Sequence, residues 1–282
     1  MLQNQSFETS ILEEQLSASE SELMVLESFN TLNEAEEEKK DGKGFGEKTK
    51  EFFIKIIKAI KEAVKKFMSF FVDAYNKLFS RFNNIKKYIA QANLNGSVEK
   101  EQEEKVLVLL SDKVDLGQFD PANVNVKKKE EEFYQLQSLL NSEKDGKNAI
   151  WDEKTLKDKS SLTDAIRVSS KSMNQIKGAA KTIKGNASSA ETRAKDGIKA
   201  AAKDDKELVN QKKAEVKLNN KGVALARKYA SMSIASNNEV LGKAYKVAKI
   251  LNGGNKASAK KVNKAVKDQN KAADKKAKAM NA

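Results

Sequence analysis

The chain contains no cysteine and no histidine among its 282 residues. Without cysteine, disulfide bonds and thiolate metal sites are excluded. Without histidine, the commonest general base and the commonest metal ligand are missing, so neither a Ser-His-Asp nor a Cys-His site can form. No pairing of carboxylates, or of serine with lysine, marks another active site. The sequence therefore predicts that the protein is not an enzyme and holds no cofactor, no metal ion and no small-molecule substrate.

Proline is nearly absent, since Pro121 is the single one in the chain. Proline breaks helices, whereas the abundant Ala, Lys, Glu and Leu are the best helix formers. Only 39% of the residues are hydrophobic and 33% are charged, which favours narrow apolar stripes over one large core. The predicted fold class is mostly α: an extended helical protein with long amphipathic helices and partly disordered acidic N-terminal and basic C-terminal tails.

Long apolar runs are also lacking. No stretch approaches the ~18 consecutive apolar residues of a membrane span. The first five residues, Met1 to Gln5, include no basic residue and are not followed by an apolar segment of the kind that directs secretion. We therefore expect synthesis in a cytoplasm without a secretory signal.

Charge is sorted along the chain, whose net charge is +13. Residues 1–38 contain ten Glu and no Lys or Arg. Residues 39–159 contain 25 basic and 20 acidic residues, and residues 160–282 contain 28 basic and 10 acidic residues. Such asymmetry indicates an acidic tail and a half of the chain that binds a polyanion.

The acidic segment 1–38 has two interpretations. It is either a solvated tail or a segment, removable or self-shielding, whose negative charge holds the basic half away from DNA. A Gly/Lys linker over residues 39–47 separates it from the rest of the chain.

A long basic amphipathic helix is predicted over residues 48–92. Its apolar side chains recur at steps of three and four residues, while lysines occupy the opposite face. The apolar positions are Phe53, Ile57, Ile60, Val64, Phe67, Phe71, Tyr75, Leu78, Phe82, Ile85 and Ile89. Such a stripe packs against other helices, by self-association or within the protein, or else lies on a membrane surface.

Residues 93–159 are predicted to be a small, mixed, mostly helical segment. The apolar run 106–110 is compatible with either helix or strand, and residues 127–141 have a helical pattern. A turn is expected at Asp120-Pro121. The single tryptophan, Trp151, is expected in a small local core.

Residues 160–255 are predicted to be a basic region of three helices. Capping-box-like starts occur at Ser161, Ser188 and Ser236. The first helix is expected to end at Gly185, the second to cover 189–233 with a thin apolar stripe, and the third to reach Leu251. Residues 256–282 form a Lys/Ala-rich tail that is expected to be frayed or to order only on binding.

The basic residues of this half are almost all lysine, since only Arg167, Arg193 and Arg227 are arginine. Lysine acts on phosphate as a point charge, whereas base-specific readout relies on the planar fork of arginine. Tyr229 and Tyr245 are its only aromatic residues, too few for single-strand stacking. We therefore predict non-specific binding to the phosphates of double-stranded DNA. The candidate contacts are Lys199, Lys203, Lys212, Lys213, Lys217, Lys228, Lys243, Lys246, Lys249, Lys260, Lys261, Lys264, Lys267, Lys271, Lys275, Lys276 and Lys278.

The layout of the chain resembles the internal head proteins of large tailed bacteriophages, some of which are capsid or scaffold proteins. The resemblance lies in a Glu-rich start (residues 32–37), a Phe/Ile/Lys helix (residues 50–60) and an Ala/Lys-rich tail. It implies a location in the capsid interior of the virion, and in the host cytoplasm during assembly. It also implies contact with capsid or other internal head proteins, and trimming by the head protease at Glu34 or Glu37.

Three functional hypotheses follow. The first is a structural protein of the phage head interior that binds DNA non-specifically. The second is an assembly scaffold, or core protein, of the prohead, which would be missing from mature virions. The third is a membrane-active or host-directed protein that acts through the helix at 48–90.

Overall fold

The computed structural model describes residues 44–110, 114, 116 and 126–253. The protein is mostly α, as predicted, and helix accounts for 79% of these residues. The helices are α1 Phe45–Gln91, α2 Val126–Asn141, α3 Lys159–Ala202 and α4 Lys206–Leu251, with a short 3-10 turn at Lys100–Gln102. Two strands, β1 Glu104–Leu109 and β2 Trp151–Leu156, form an antiparallel pair.

Helix α1 follows the apolar periodicity that predicts it. It covers 47 residues, starting three residues before the predicted first residue and ending one residue before the predicted last. Eight of the eleven stripe residues are buried, and Ile57, Val64 and Tyr75 are half-buried. The stripe therefore packs inside the protein. Asparagines follow the helix, and Gly96 then adopts a left-handed backbone with φ of 70°.

The chain divides into two compact units, each of which takes one part of every long helix. Within the described residues, the first unit contains 44–70, 116, 126–140 and 179–228. The second unit contains 71–110, 114, 141–178 and 229–253.

In the first unit, α3 runs antiparallel to α1. A Cβ atom added at Gly46 would lie 2.7 Å from the carbonyl oxygen of Ala201, near the end of α3. Further along α1 and further back on α3, Lys61 forms an ion pair of 3.1 Å with Glu191. The absence of a side chain at Gly46 thus lets the start of α1 approach the backbone near the end of α3 closely.

Helix α4 runs parallel to α1 in the same unit. Lys206 lies over the ring of Phe45 near the start of both helices, and Arg227 lies over the ring of Phe67 near the end. Helix α2 also packs on α4, since the ring of Phe133 lies against Gly222. Apolar residues on several sides of α4 are therefore buried, whereas the sequence predicted a thin stripe.

A buried polar cluster joins α3 to α4 in the first unit. The side chain of Glu215 is only 3% exposed, and its carboxylate lies 3.5 Å from Arg193 Nε and 2.9 Å from Lys212 Nζ. Gln211 donates a hydrogen bond of 3.0 Å to the same carboxylate. Because a buried charge is costly without partners, Glu215 relies on Arg193 of α3 as well as on its neighbours in α4.

In the second unit, the β1–β2 pair packs on α4. The register places Glu104 opposite Leu156 and Leu109 opposite Trp151. The buried hydroxyl of Ser236 accepts a hydrogen bond of 3.3 Å from the amide of Leu109, on β1. The apolar run at 106–110 is thus strand through Leu109, and Trp151 is buried as predicted.

The predicted helix boundaries inside the basic half are wrong. Helix α3 continues through Gly185, and the break lies at Lys203–Asp205, where Asp204 has a left-handed backbone with φ of 54°. Ser188 and Ser236 lie inside helices and start none. Packing explains the difference, since Ala187, Ala190 and Ala194 after Gly185 are buried. The hydroxyl of Ser236 donates a hydrogen bond to the carbonyl oxygen of Leu107 in β1.

The start of α3 is close to the predicted one. The N-cap is Asp158, three residues before Ser161. The carboxylate of Asp158 accepts a hydrogen bond of 2.8 Å from the amide of Ser161, and the amide of Asp158 donates one of 3.0 Å to the hydroxyl of Ser161. The pair therefore forms a reciprocal capping box.

Several predicted features lie outside the described residues. They are the acidic tail 1–38 with Glu34 and Glu37, the turn at Asp120-Pro121 and the basic tail 256–282.

Candidate functional site: a basic surface on the first unit

The predicted DNA-contacting lysines do not form a single cluster. Eight of them, from Lys260 to Lys278, lie outside the described residues. Of the nine that are described, six belong to the first unit and three to the second. Their positions in the two units therefore have to be considered separately.

The three predicted lysines of the second unit have other contacts. Lys243 donates hydrogen bonds of 2.9 Å to Glu239 and 2.7 Å to the carbonyl oxygen of residue 105. Lys246 forms an ion pair with Glu104, on β1, and Lys249 lies 5.6 Å from the ring centre of Tyr245. Lys243 and Lys246 thus help to attach the strand pair to α4.

Two predicted lysines of the first unit also have acidic partners. Lys212 is 12% exposed and pairs with the buried Glu215. Lys199 is 76% exposed and lies 3.4 Å from Asp196. By contrast, Lys203 is exposed in the turn between α3 and α4, and no carboxylate of the described residues lies within ion-pair distance of it.

The first part of α4 carries a row of lysines along one side, which we name the lysine ladder. Successive members are separated by 7, 4, 4 and 7 residues, the spacing of one helix face. A helix rises 1.5 Å per residue, so the row is about 33 Å long. Its members are Lys206, Lys213, Lys217, Lys221 and Lys228.

Aromatic rings from both neighbouring helices lie beneath the ladder. On the α1 side, Lys206 Nζ lies 5.3 Å from the ring centre of Phe45, and α1 also supplies Phe52 under Lys213 at 5.8 Å. On the α2 side, Lys221 Nζ lies 3.2 Å from the ring centre of Tyr134. Each contact contributes about 0.5–1 kcal/mol at an exposed site and restrains a flexible side chain.

Three of the five ladder lysines lack an ion-pair partner among the described residues. Lys206, Lys217 and Lys221 have no carboxylate within ion-pair distance in the part of the chain that the structure describes. Burial lowers the pKa of the Lys221 ammonium group; Glu130 opposes this effect and the positive charge of Lys217 adds to it. A bound anion would favour the charged form of Lys221.

Helix α1 extends the basic surface. Lys48 and Lys55 each follow one of the two ladder-contacting phenylalanines by three residues, so they lie on the same flank of α1. Neither has an ion-pair partner among the described residues. The described part of the first unit contains 23 basic and 12 acidic residues, against 17 and 12 in the second unit. The first unit is therefore the more strongly basic one.

Sequence reasoning found three ladder members, Lys213, Lys217 and Lys228, and missed Lys206 and Lys221. Lys206 and Lys221 lie at helical spacing from the other three, so this spacing in the sequence could have identified them. The sequence could not show that aromatic rings of α1 and α2 lie beneath the row.

The apolar face of α1 lies mostly within the two units. Phe53 is fully buried in the first unit, and Leu78 is fully buried in the second. The exposed large apolar residues of α1 are Ile54, Val72 and Phe79, which are not among the eleven stripe positions.

Other kinds of site find no support in the described residues. Those residues include no group of three or more potential metal ligands. They also include no helix long and apolar enough to cross a membrane. Comparisons with protein-family models, with curated proteins and with solved structures yield no match to this chain.

Proposed function

We propose that the protein is a non-catalytic structural protein that binds double-stranded DNA without sequence preference, through contacts between lysines and phosphates. The observation that carries this proposal is the lysine ladder. Five lysines share one side of α4, three of them rest on aromatic rings, and no arginine lies among them.

The length of the ladder suits a DNA duplex. Its ~33 Å is close to one duplex turn of about 34–36 Å, along which the backbone presents one charge per ~1.7 Å. A straight row of this length can thus reach phosphates where the two backbones pass one side of the duplex. Because lysine recognises charge rather than base edges, such binding would be indifferent to sequence.

The proposed place of action is the head interior of a large tailed bacteriophage. The layout of acidic start, Phe/Ile/Lys helix and basic tail supports it, together with a basic surface suited to packaged DNA. On this proposal, the protein contacts capsid or other internal head proteins and is trimmed at Glu34 or Glu37. A prohead scaffold is the alternative, and it differs in being lost before the virion matures.

A membrane-active role for residues 48–90 is less well supported. The side chains that would enter a lipid layer are the stripe residues of α1, and most of them are buried within the units. To enter lipid they would have to leave the core, and the apolar side chains packed against them would lose their partners.

The test is a salt titration of the full-length chain on unrelated DNA duplexes. The informative variant replaces all five ladder lysines by glutamine. The matched control replaces five exposed lysines of the second unit that have no ion-pair partner among the described residues: Lys87, Lys100, Lys147, Lys157 and Lys171. Both variants lose the same charge, but only one loses the aligned row.

We expect the wild-type affinity to fall steeply with salt and to be equal for all duplex sequences. Loss of the ladder should flatten the plot of log affinity against log salt by about 0.9 for each phosphate contact removed, whereas the control should change it little. Equal effects of the two variants would contradict the ladder as the binding surface. Absence of binding by the wild type at low salt would contradict DNA binding altogether.

A further inference from the structure

We propose that residues 1–38 dock on the lysine ladder of the same chain, so that this acidic segment and DNA compete for one surface. The inference deepens the proposed function and rests on it for the identity of the competitor. The proposed contact itself is intramolecular and exists in the absence of DNA.

The point at which the chain enters the described structure supports the contact. The described residues begin at Gly44, and the next residue, Phe45, starts α1. The ring of Phe45 lies beneath Lys206, the first lysine of the ladder, at 5.3 Å. The segment that precedes α1 is therefore attached beside one end of the ladder.

The segment is long enough to follow the whole ladder. Because α1 and α4 are parallel here, the ladder extends away from the attachment point for about 33 Å. The 38 residues would span about 57 Å as a helix and more than about 100 Å when extended. In either conformation, the segment can turn back and reach Lys228.

Charge on the two partners is complementary. The segment has ten Glu and no basic residue, and the ladder has five lysines, with Lys48 and Lys55 on the adjoining flank of α1. Attachment through a short linker also raises the effective concentration of the segment to the millimolar range. Even a weak contact would then be populated.

Apolar groups on both partners add to the match. Tyr134 is 57% exposed beside Lys221, which leaves an aromatic surface open next to the ladder. The acidic segment contains Leu23, Leu26, Phe29 and Leu32, spaced three residues apart along the sequence. Such residues can cover the ring while glutamates meet the lysines.

The contact can be tested by double electron–electron resonance, which measures the distance between two spin labels. The labels can be attached to two introduced cysteines because the chain has none of its own. One full-length variant carries Ser28→Cys and Ala214→Cys, the latter an exposed position beside the ladder. The control carries Ser28→Cys and Ser188→Cys. Ser188 is exposed on α3 of the same unit, between Lys184 and Lys195, and so tests attraction to another basic helix.

We expect a short, narrow distance for the ladder pair and a broad distribution for the control pair. The short distance should disappear at about 1 M salt, where charges are screened beyond ~3 Å, and when the ladder lysines are replaced by glutamine. Identical broad distributions for both pairs would overturn the proposal. A short distance between two chains that each carry one label would also overturn it, because the occupant would then be a second copy.

The competition is tested with the ten glutamates of residues 1–38 changed to glutamine in the full-length chain. This variant should bind DNA about tenfold more tightly at low salt, as expected if the wild-type surface is open about one tenth of the time. The gain should vanish when the ladder is also neutralised. An equal gain without the ladder would overturn the shared surface.

The two proposals can fail separately. A salt-sensitive short distance in a protein that binds no DNA would sustain the contact and remove the proposed function. DNA binding through the ladder, with no short distance, would remove the contact and leave the proposed function standing.

Discussion

The ring of Phe53 on α1 occupies the space where a side chain at Gly197 on α3 would begin. A Cβ atom added at Gly197 would lie 2.3 Å from the Cζ atom of Phe53, far inside van der Waals contact. Phe53 is fully buried, so its ring is enclosed by other parts of the protein. The absence of a side chain at one residue of α3 thus permits the close packing of α1 in the first unit.

This packing predicts opposite effects for two glycine substitutions in α3. Gly197→Ala should lower the free energy of unfolding by about 1–3 kcal/mol through overpacking. The better helix propensity of alanine should offset up to ~1 kcal/mol of this loss. Gly178→Ala, where nothing lies within 4 Å of the added Cβ, should raise it by up to ~1 kcal/mol. Urea unfolding measures both changes. Stabilisation by both substitutions would contradict the close contact with Phe53.

The buried carboxylate of Glu215 predicts a large loss of stability on truncation. Glu215→Ala leaves Arg193 and Lys212 without their shared buried partner and should cost about 3–5 kcal/mol. Glu207→Ala, on the exposed first turn of α4, should cost at most ~1 kcal/mol through the helix dipole. Chemical denaturation at neutral pH compares the two variants. A similar small loss for both would show that the cluster does not stabilise the fold.

Burial along α1 predicts a contrast between two phenylalanines. Phe67 is 2% exposed and lies under Arg227, whereas Phe79 is 44% exposed. Phe67→Ala should therefore cost about 3–5 kcal/mol, in the range of buried aromatic truncations. Phe79→Ala should change the free energy of unfolding by less than about 1 kcal/mol. Thermal unfolding monitored by circular dichroism distinguishes them, and an equal loss would mean that the stripe is not the buried face.

The capping box at the start of α3 predicts a pH-dependent contribution to stability. The hydrogen bond from the amide of Ser161 is the main cause that lowers the pKa of Asp158. A carboxylate whose pKa is lowered in the folded state contributes its full stabilisation of that state at pH values above its unfolded pKa. This contribution is lost as the pH falls through the folded-state pKa. The loss therefore lies below about pH 4.

The matched variant for this group is Asp158→Asn. Its amide oxygen can still accept the hydrogen bond from Ser161, but it carries no charge toward the helix dipole. At neutral pH, the wild type should be more stable by at most ~1 kcal/mol, and this difference should shrink below about pH 4. Free energies of unfolding at several pH values measure it. A difference that is constant with pH would contradict a charged cap.

The sequence alone was sufficient for the features that depend on local periodicity. The repeat of apolar residues in α1 predicted a helix within three residues of its start and one of its end. The near absence of proline predicted long helices, and α3 and α4 have 44 and 46 residues. Helix propensity and the position of an apolar stripe are properties of neighbouring residues, so they can be read without the fold.

Local signals failed where long-range packing decided the outcome. Gly185 and Ser188 have the sequence character of a helix end and a helix start, yet α3 continues through both. Burial of small residues on either side of them favours an unbroken helix over its local alternatives. Ser236 likewise resembles a cap, but its hydroxyl is used by the backbone of β1.

In the candidate site, too, some features follow from the sequence and others depend on tertiary packing. Net charge and the preference for lysine over arginine were sufficient to predict a basic surface rich in lysine. Tertiary structure decided which lysines lie on it, since Lys212 is paired with a buried glutamate and Lys243 holds a strand, while Lys206 and Lys221 rest on aromatic rings. The physical reason is that charge is a property of composition, whereas the availability of each charge depends on which residues of other helices lie beside it.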